Sequence, residues 1–256
     1  MEFQKEIKRK KGKKKIVVLT AYDFQMAKIL DATQIDLILV GDSLGMVVQG
    51  CPDTKHVAMR DMIYHTGAVA RGVKNTPIIG DMPINSYNSV DDALKNAAKF
   101  LKAGASGVKI EGNKTKVVRA LVKAGIPTMG HVGMLPQTAE SYRLKGKTTE
   151  EAERILQDAV ELDAEGVFSI VLECIPQSLA KKITERVEAP TIGIGAGRYC
   201  DGQVLVINDM LGLDEGFTPK FVKKYANLNA TVKDAVGKFR EEVFGGKYPD
   251  GEHTYH

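Results

Sequence analysis

The chain has 256 residues, 43% hydrophobic and 27% charged, with no tryptophan and three cysteines, the profile of a soluble globular protein with room for a large core. Its formal charge of +4 is uneven: residues 1–15 hold eight of the 36 bases and two of the 32 acids, leaving 28 bases against 30 acids, a balance of −2. The lysine-rich end reads as a solvated tail and, without aromatic residues among its lysines, argues against nucleic-acid binding. No apolar run could cross a bilayer, MEFQKEIKRKKGKKK lacks a secretion signal's apolar core, and Cys51, Cys174 and Cys200 fall at no metal-ligand spacing. These features predict a cytoplasmic protein with reduced thiols and no membrane partner.

From residue 16 onward, short β-branched runs alternate with segments of helical period. The runs are IVVLTAY (16–22), LILVGD (37–42), PIIGD (77–81), GVKIEG (107–112), PTMGHV (127–132), FSIVLEC (168–174) and PTIGIG (190–195). Between them DDALKNAAKFLKAG, TKVVRALVKAG and TTEEAERILQDAVELDAEG repeat apolar residues three or four apart, and each closes on glycine as helices often do. Continuous apolar runs in βαβα order fit parallel strands covered on both faces, hence an α/β fold. A doubly wound sheet is the competitor, but the first βα turn, TAYDFQMAK, lacks the glycine fingerprint of nucleotide-binding sheets.

An eighth strand would close a (β/α)8 TIM barrel. QVLVIND (203–209) has the better strand composition and KFVKKYA (220–226) the better spacing, because a parallel crossover usually takes a dozen or more residues. The expectation is therefore a short helix over 204–212, a last strand over 221–226 and a terminal helix over 230–244. No Ser-, Pro- or Gly-rich stretch marks a linker, so the reading is a basic segment at 1–15 followed by a single-domain barrel over 16–256.

Polar residues recur where the strands end, the rim on which such barrels build active sites. Asp42 ends the second run and is followed by Ser43, Asp81 ends the third, Lys109 and Glu111 lie in the fourth, His131 in the fifth and Glu173 in the sixth. Asp42, Asp81 and Glu111 form a hard-oxygen set suited to Mg²⁺, since three carboxylates gathered without a cation repel one another. A single Asp at a strand end more often caps a helix, but three on adjacent strands favour a metal site. Lys109 and Glu111, two apart in a strand, share a face. Spacing leaves a buried salt bridge and a substrate-binding cation equally balanced for Lys109.

An apolar setting raises a carboxyl pKa, so Glu173 is a candidate general base, with a hydrogen-bonded buried acid as the alternative. His131, without Cys or His neighbours, reads as a hydrogen-bonding or packing residue. Ser43 lacks a triad pattern and reads as a donor to a substrate anion. GIGAGR (193–198) reads as a tight turn rather than a phosphate cradle.

Taken together, LTAYD, VGDSLGMVVQG, GDMPINSY, GVKIEG, GHVGMLPQ, LECIP, IGIGAG, CDGQVLVINDMLGL and the ending EHTYH resemble the ketopantoate hydroxymethyltransferase family, in its order and from about residue 15 onward. The resemblance implies a barrel of the phosphoenolpyruvate/pyruvate type. It also implies transfer of a hydroxymethyl group from 5,10-methylenetetrahydrofolate to 3-methyl-2-oxobutanoate, giving 2-dehydropantoate in the first committed step of pantothenate synthesis. It implies Mg²⁺ held by Asp42, Asp81 and Glu111, with water between ion and ligand at one or more of them. Ser43 and Lys109 would then hold substrate oxygens, Glu173 would be the base acting at C3, and His131 and Tyr22 would line the pocket. Family members assemble into rings or stacked rings, so a homo-oligomer, a decamer among the options, is the expected state.

Overall fold

The computed structural model describes residues 2–216 and 218–255. Two compact units divide between Val206 and Ile207. In the first, α1 (Glu2–Lys10) precedes β1 (Ile16–Thr20), α2 (Phe24–Ala32), β2 (Leu37–Val40), α3 (Leu44–Val47), α4 (Met59–Gly72), β3 (Ile78–Asp81) and α5 (Val90–Lys102). It continues through β4 (Gly107–Lys109), α6 (Thr115–Lys123), β5 (Thr128–Gly133), α7 (Thr149–Ala164), β6 (Ser169–Glu173), α8 (Gln177–Arg186), β7 (Thr191–Ile194) and β8 (Gly202–Leu205). Among the described residues the eight strands close in sequence order into one parallel barrel, with β8 paired to β1.

The strands form because β-branched runs can be covered on both faces: LILV of β2 and IIGD of β3 are buried throughout. The helices α2, α5 and α7 begin on side-chain caps. Asp23 accepts from Met26 N, Ser89 from Asp92 N and Thr148 from Glu151 N. The segments expected to close on glycine do so at Gly104, Gly125 and Gly166, each with positive φ. Inside the barrel, Ile16, Val18, Leu37, Leu39, Ile79, Met129, Phe168, Val171, Ile192 and Val204 make one apolar cluster.

Two expectations need correction. The last strand is Gly202–Leu205, not 221–226, which is turn and irregular chain. The objection that too few residues separate the seventh run from this one fails because both strands are only four residues long. Strands of that length rise about 13 Å, whereas the connecting residues 195–201 can reach about 23 Å. Gly195 (φ 64°) and Gly197 (φ 78°) make the turn, as GIGAGR was expected to.

The second correction concerns the basic end, which is not a solvated tail. Ile7 is 3% exposed and joins the interior cluster, and Phe3 packs edge-on against Phe168 with ring centroids 5.5 Å apart. Lys10 pairs with Asp36, and Lys11 reaches Asp201, Thr184 O and Ala189 O. The helix α1 thus closes the end of the barrel opposite the strand C-termini.

The second unit, from Ile207 onward, holds the short helix α9 (Ile207–Leu211), within the span expected for one, and α10 (Leu228–Phe244). Asn227 caps α10 through Ala230 N, and Tyr225 N bonds Met210 O at 2.8 Å. None of the helices described is long and apolar enough to cross a membrane.

Candidate active site

The strand C-termini set the depth of each polar side chain. Asp81 ends β3 and lies in register with Lys109, which ends β4. Strand β3 can carry Asp81 so close to α5 because of Gly80, where a Cβ would stand 2.2 Å from the Phe100 ring. Past Lys109 the chain stays extended, so Ile110 N bonds Met129 O while Glu111, two residues on, returns to the inward face. His131 sits within β5 opposite Val171 of β6, and Glu173 ends β6. Cys174 then turns the chain with φ 47°, a left-handed conformation that costs a non-glycine residue about 1–3 kcal/mol and collects at functional sites.

These residues converge, and most of them are out of solvent. Asp42, Asp81, Lys109, Glu111 and His131 are each at most 4% exposed. The ammonium of Lys109 lies 2.7 Å from both oxygens of Asp81 and 3.8 Å from Glu111 Oε1. Asp81 Oδ2 also accepts from Asp42 N at 3.2 Å. His131 is bracketed by two acids, Nδ1 lying 3.5 Å from Glu111 Oε1 and Nε2 3.2 Å from Glu173 Oε2. Those contacts are close enough for charge attraction but outside hydrogen-bond geometry, and Glu111 Oε1 is a buried oxygen with no hydrogen-bond donor. Ser43, just before α3, shares a hydrogen bond with Tyr22 OH at 2.8 Å instead of capping the helix.

The charges are unbalanced toward acid. Burial and then the carboxylate of Asp81 push Asp42 well above the usual carboxylate range, against Lys109. Burial also raises Asp81, with Lys109 opposing it. For Glu111, burial is outweighed by His131 and Lys109, which hold it below the usual range. Burial disfavours charge on His131, but Glu111 and Glu173 outweigh it and raise the imidazole to about 9. Lys109 is likewise pushed up, since its acidic neighbours overcome the effect of burial. Fully ionised, Asp42, Asp81 and Glu111 would carry three negative charges against the two of Lys109 and His131, and the upward push on Asp42 is the sign of that surplus, so the cluster suits one more positive group.

The residues present fit a divalent cation in a particular way. Asp42 and Asp81 are neighbours with oxygen ligands of the hard type. Glu111 is turned toward His131 and the chain at Gln137, and among the described residues no three His, Cys, Asp or Glu side chains are gathered to hold one ion. Asp42, Asp81 and Glu111, the set expected from sequence, are thus linked through Asp81 and Lys109, but they are not gathered into a three-carboxylate cage.

Two participants were not singled out as site residues by sequence reasoning, although both lie in quoted motifs. Gln137, 1% exposed, donates from Nε2 to Asp42 Oδ2 and to Met82 O, each at 2.9 Å, and from its backbone to Glu111 Oε2 at 3.1 Å. Tyr87 OH donates to Gln137 Oε1 and accepts from Glu111 N at 3.3 Å. The environment also departs from expectation at Glu173, which follows an apolar run yet faces His131 and stays 15% exposed at its side chain.

The family model described as ketopantoate hydroxymethyltransferase matches residues 2–251. A protein of Syntrophomonas wolfei named 3-methyl-2-oxobutanoate hydroxymethyltransferase is 50% identical over 96% of this chain and 92% of its own. One of the same name from Ignicoccus hospitalis is 52% identical over 97% and 96%. In fold alone, the phosphoenolpyruvate phosphomutase of Streptomyces platensis subsp. rosaceus superposes with a TM-score of 0.64 at 12% identity, over 100% of this chain and 91% of that one. The chain belongs to the ketopantoate hydroxymethyltransferase family.

Proposed function

We propose that this protein transfers a hydroxymethyl group from 5,10-methylenetetrahydrofolate to 3-methyl-2-oxobutanoate, giving 2-dehydropantoate and tetrahydrofolate, with water supplying the hydroxyl, as the first committed step of pantothenate synthesis. The observation that carries this reading is the pairing of a partly open carboxylate, Glu173, with a buried acid cluster that suits one more cation, the two joined through His131.

A C–H bond beside a ketone gives up its proton to a carboxylate only when the oxygen that gains charge is stabilised. Asp42, Asp81 and Glu111 would hold Mg²⁺, one or more of them through water, and the ion would supply positive charge to the oxygens of the oxo acid. Lys109, fixed by Asp81, adds a second positive group on the same side. Ser43, held by Tyr22, offers a hydroxyl to the substrate's negative oxygens. Glu173 removes the proton from C3, and His131 keeps its carboxylate oriented by the charge between them. The carbon so freed bonds to the one-carbon unit, whose two C–N bonds to the folate are given up, one to this carbon and one to the oxygen of water, while the protons lost by C3 and by water go to the two folate nitrogens. Identities of about 50% with relatives named for this reaction support the assignment.

The test needs no folate. The protein is incubated with 3-methyl-2-oxobutanoate in deuterated water, with and without Mg²⁺, and loss of the C3 proton signal is followed by NMR. Mg²⁺-dependent exchange is expected, slowed about 10²- to 10⁴-fold in Glu173→Gln while Mg²⁺ binding by calorimetry persists. An unchanged rate in Glu173→Gln removes that residue as the base, and no exchange in the parent protein sinks the reading.

A further inference from the structure

We propose that Gln137 is a positioning residue for the cation site, setting through its amide and its own backbone N–H where the carboxylates of Asp42 and Glu111 point. The inference rests on the reading above, in which those two acids serve a divalent cation. Gln137 comes from the chain after β5, yet it reaches Asp42 after β2 and Glu111 after β4.

Its orientation is dictated by partners that cannot change role. The Met82 carbonyl can only accept, so the amide nitrogen must face it, and the same nitrogen then has one N–H left, which goes to Asp42 Oδ2. On the other side Tyr87 OH donates to Oε1, while its own oxygen is occupied by Glu111 N–H. A flipped amide would set its oxygen against a carbonyl and a carboxylate. The Gln137 backbone N–H meanwhile holds Glu111 Oε2. One oxygen of each carboxylate is therefore fixed, and the second oxygen of Glu111, Oε1, is the buried atom that lacks a donor. Outer hydrogen-bond partners of this kind orient ligating carboxylates and matter to metal affinity.

Gln137→Met keeps the length and removes both ends of the amide; Tyr87→Phe keeps Gln137 and removes the donor to its Oε1. Calorimetry with Mg²⁺ alone, C3 proton exchange across a Mg²⁺ series, and melting temperature without Mg²⁺ are read for both. Gln137→Met is expected to bind Mg²⁺ about 10- to 100-fold more weakly. Most of its exchange rate should return at saturating Mg²⁺, and Tyr87→Phe should shift in the same direction by a smaller factor. Unchanged Mg²⁺ affinity in Gln137→Met overturns the proposal whether or not the melting temperature falls, and it leaves the assigned reaction standing if the parent protein exchanges the proton. If Gln137→Met does not fold, unchanged affinity in Tyr87→Phe overturns it. A parent protein that neither binds Mg²⁺ nor exchanges the proton overturns both.

Discussion

Each end of the barrel carries a lysine paired to an aspartate across a long stretch of chain. At the end closed by α1, Lys11 Nζ has three acceptors, Thr184 O at 2.9 Å, Ala189 O at 3.2 Å and Asp201 Oδ2 at 3.1 Å. Asp201 in turn accepts from Gly12 N, Thr191 N and Thr191 Oγ1, so each charge is matched by several surrounding groups. At the strand C-termini, Lys109 holds Asp81 closely, but Asp42 and Glu111 crowd the same ammonium, and one oxygen of Glu111 has no donor. A satisfied pair is a clamp. A pair with surplus acid around it is poised to bind something, and the difference lies in the partners rather than in the pair itself.

Removing each lysine should separate the two cases. Lys109→Met leaves Asp81 and Asp42 buried without their cation, a change that costs about 3–5 kcal/mol. Its melting temperature, measured by calorimetry, should fall sharply and recover more with Mg²⁺ than the parent's rises, because a metal can replace the missing charge. Exchange at C3 should be lost. A fall that Mg²⁺ leaves untouched would make this pair structural as well.

His131 gives the rim a pH dependence. Its folded value of about 9 lies above the ordinary 6.5. The bracket between Glu111 and Glu173 therefore contributes fully below pH 6.5 and is lost as pH rises through about 9. Without added Mg²⁺, the difference in unfolding free energy between the parent and His131→Asn should shrink by roughly 3 kcal/mol across that window. A difference that stays flat with pH would mean that the ring is not charged between the two acids.

The rim acids were legible in sequence because a parallel strand announces its own C-terminal end, and Asp42, Asp81, Glu111 and Glu173 all stand there. The helices were legible through their period and their closing glycines. Gln137 was not, because its partners lie far away in the chain and a single glutamine in a loop has no period to betray it. A lone histidine likewise looks like packing until two carboxylates on neighbouring strands are seen to bracket it. The eighth strand was misplaced by a rule about crossover length that assumes longer strands than these. At the basic end a signal was present, Phe3 and Ile7 four residues apart on one helical face, but the surrounding lysines masked it.

The smallest effect is expected at that basic end. Lys11→Met removes one donor from Asp201 and leaves its three others, so the carboxylate stays largely compensated while two backbone carbonyls lose a partner. The cost should be about 1–3 kcal/mol in denaturant unfolding. Mg²⁺ should not restore it, since nothing at this end calls for another cation, and C3 exchange measured below the melting temperature should match the parent. If Lys11→Met instead lost exchange as Lys109→Met does, seating of α1 would have to govern the rim through the apolar cluster in between. The two ends would then be one device, and counting partners around an ion pair would no longer tell a clamp from a site.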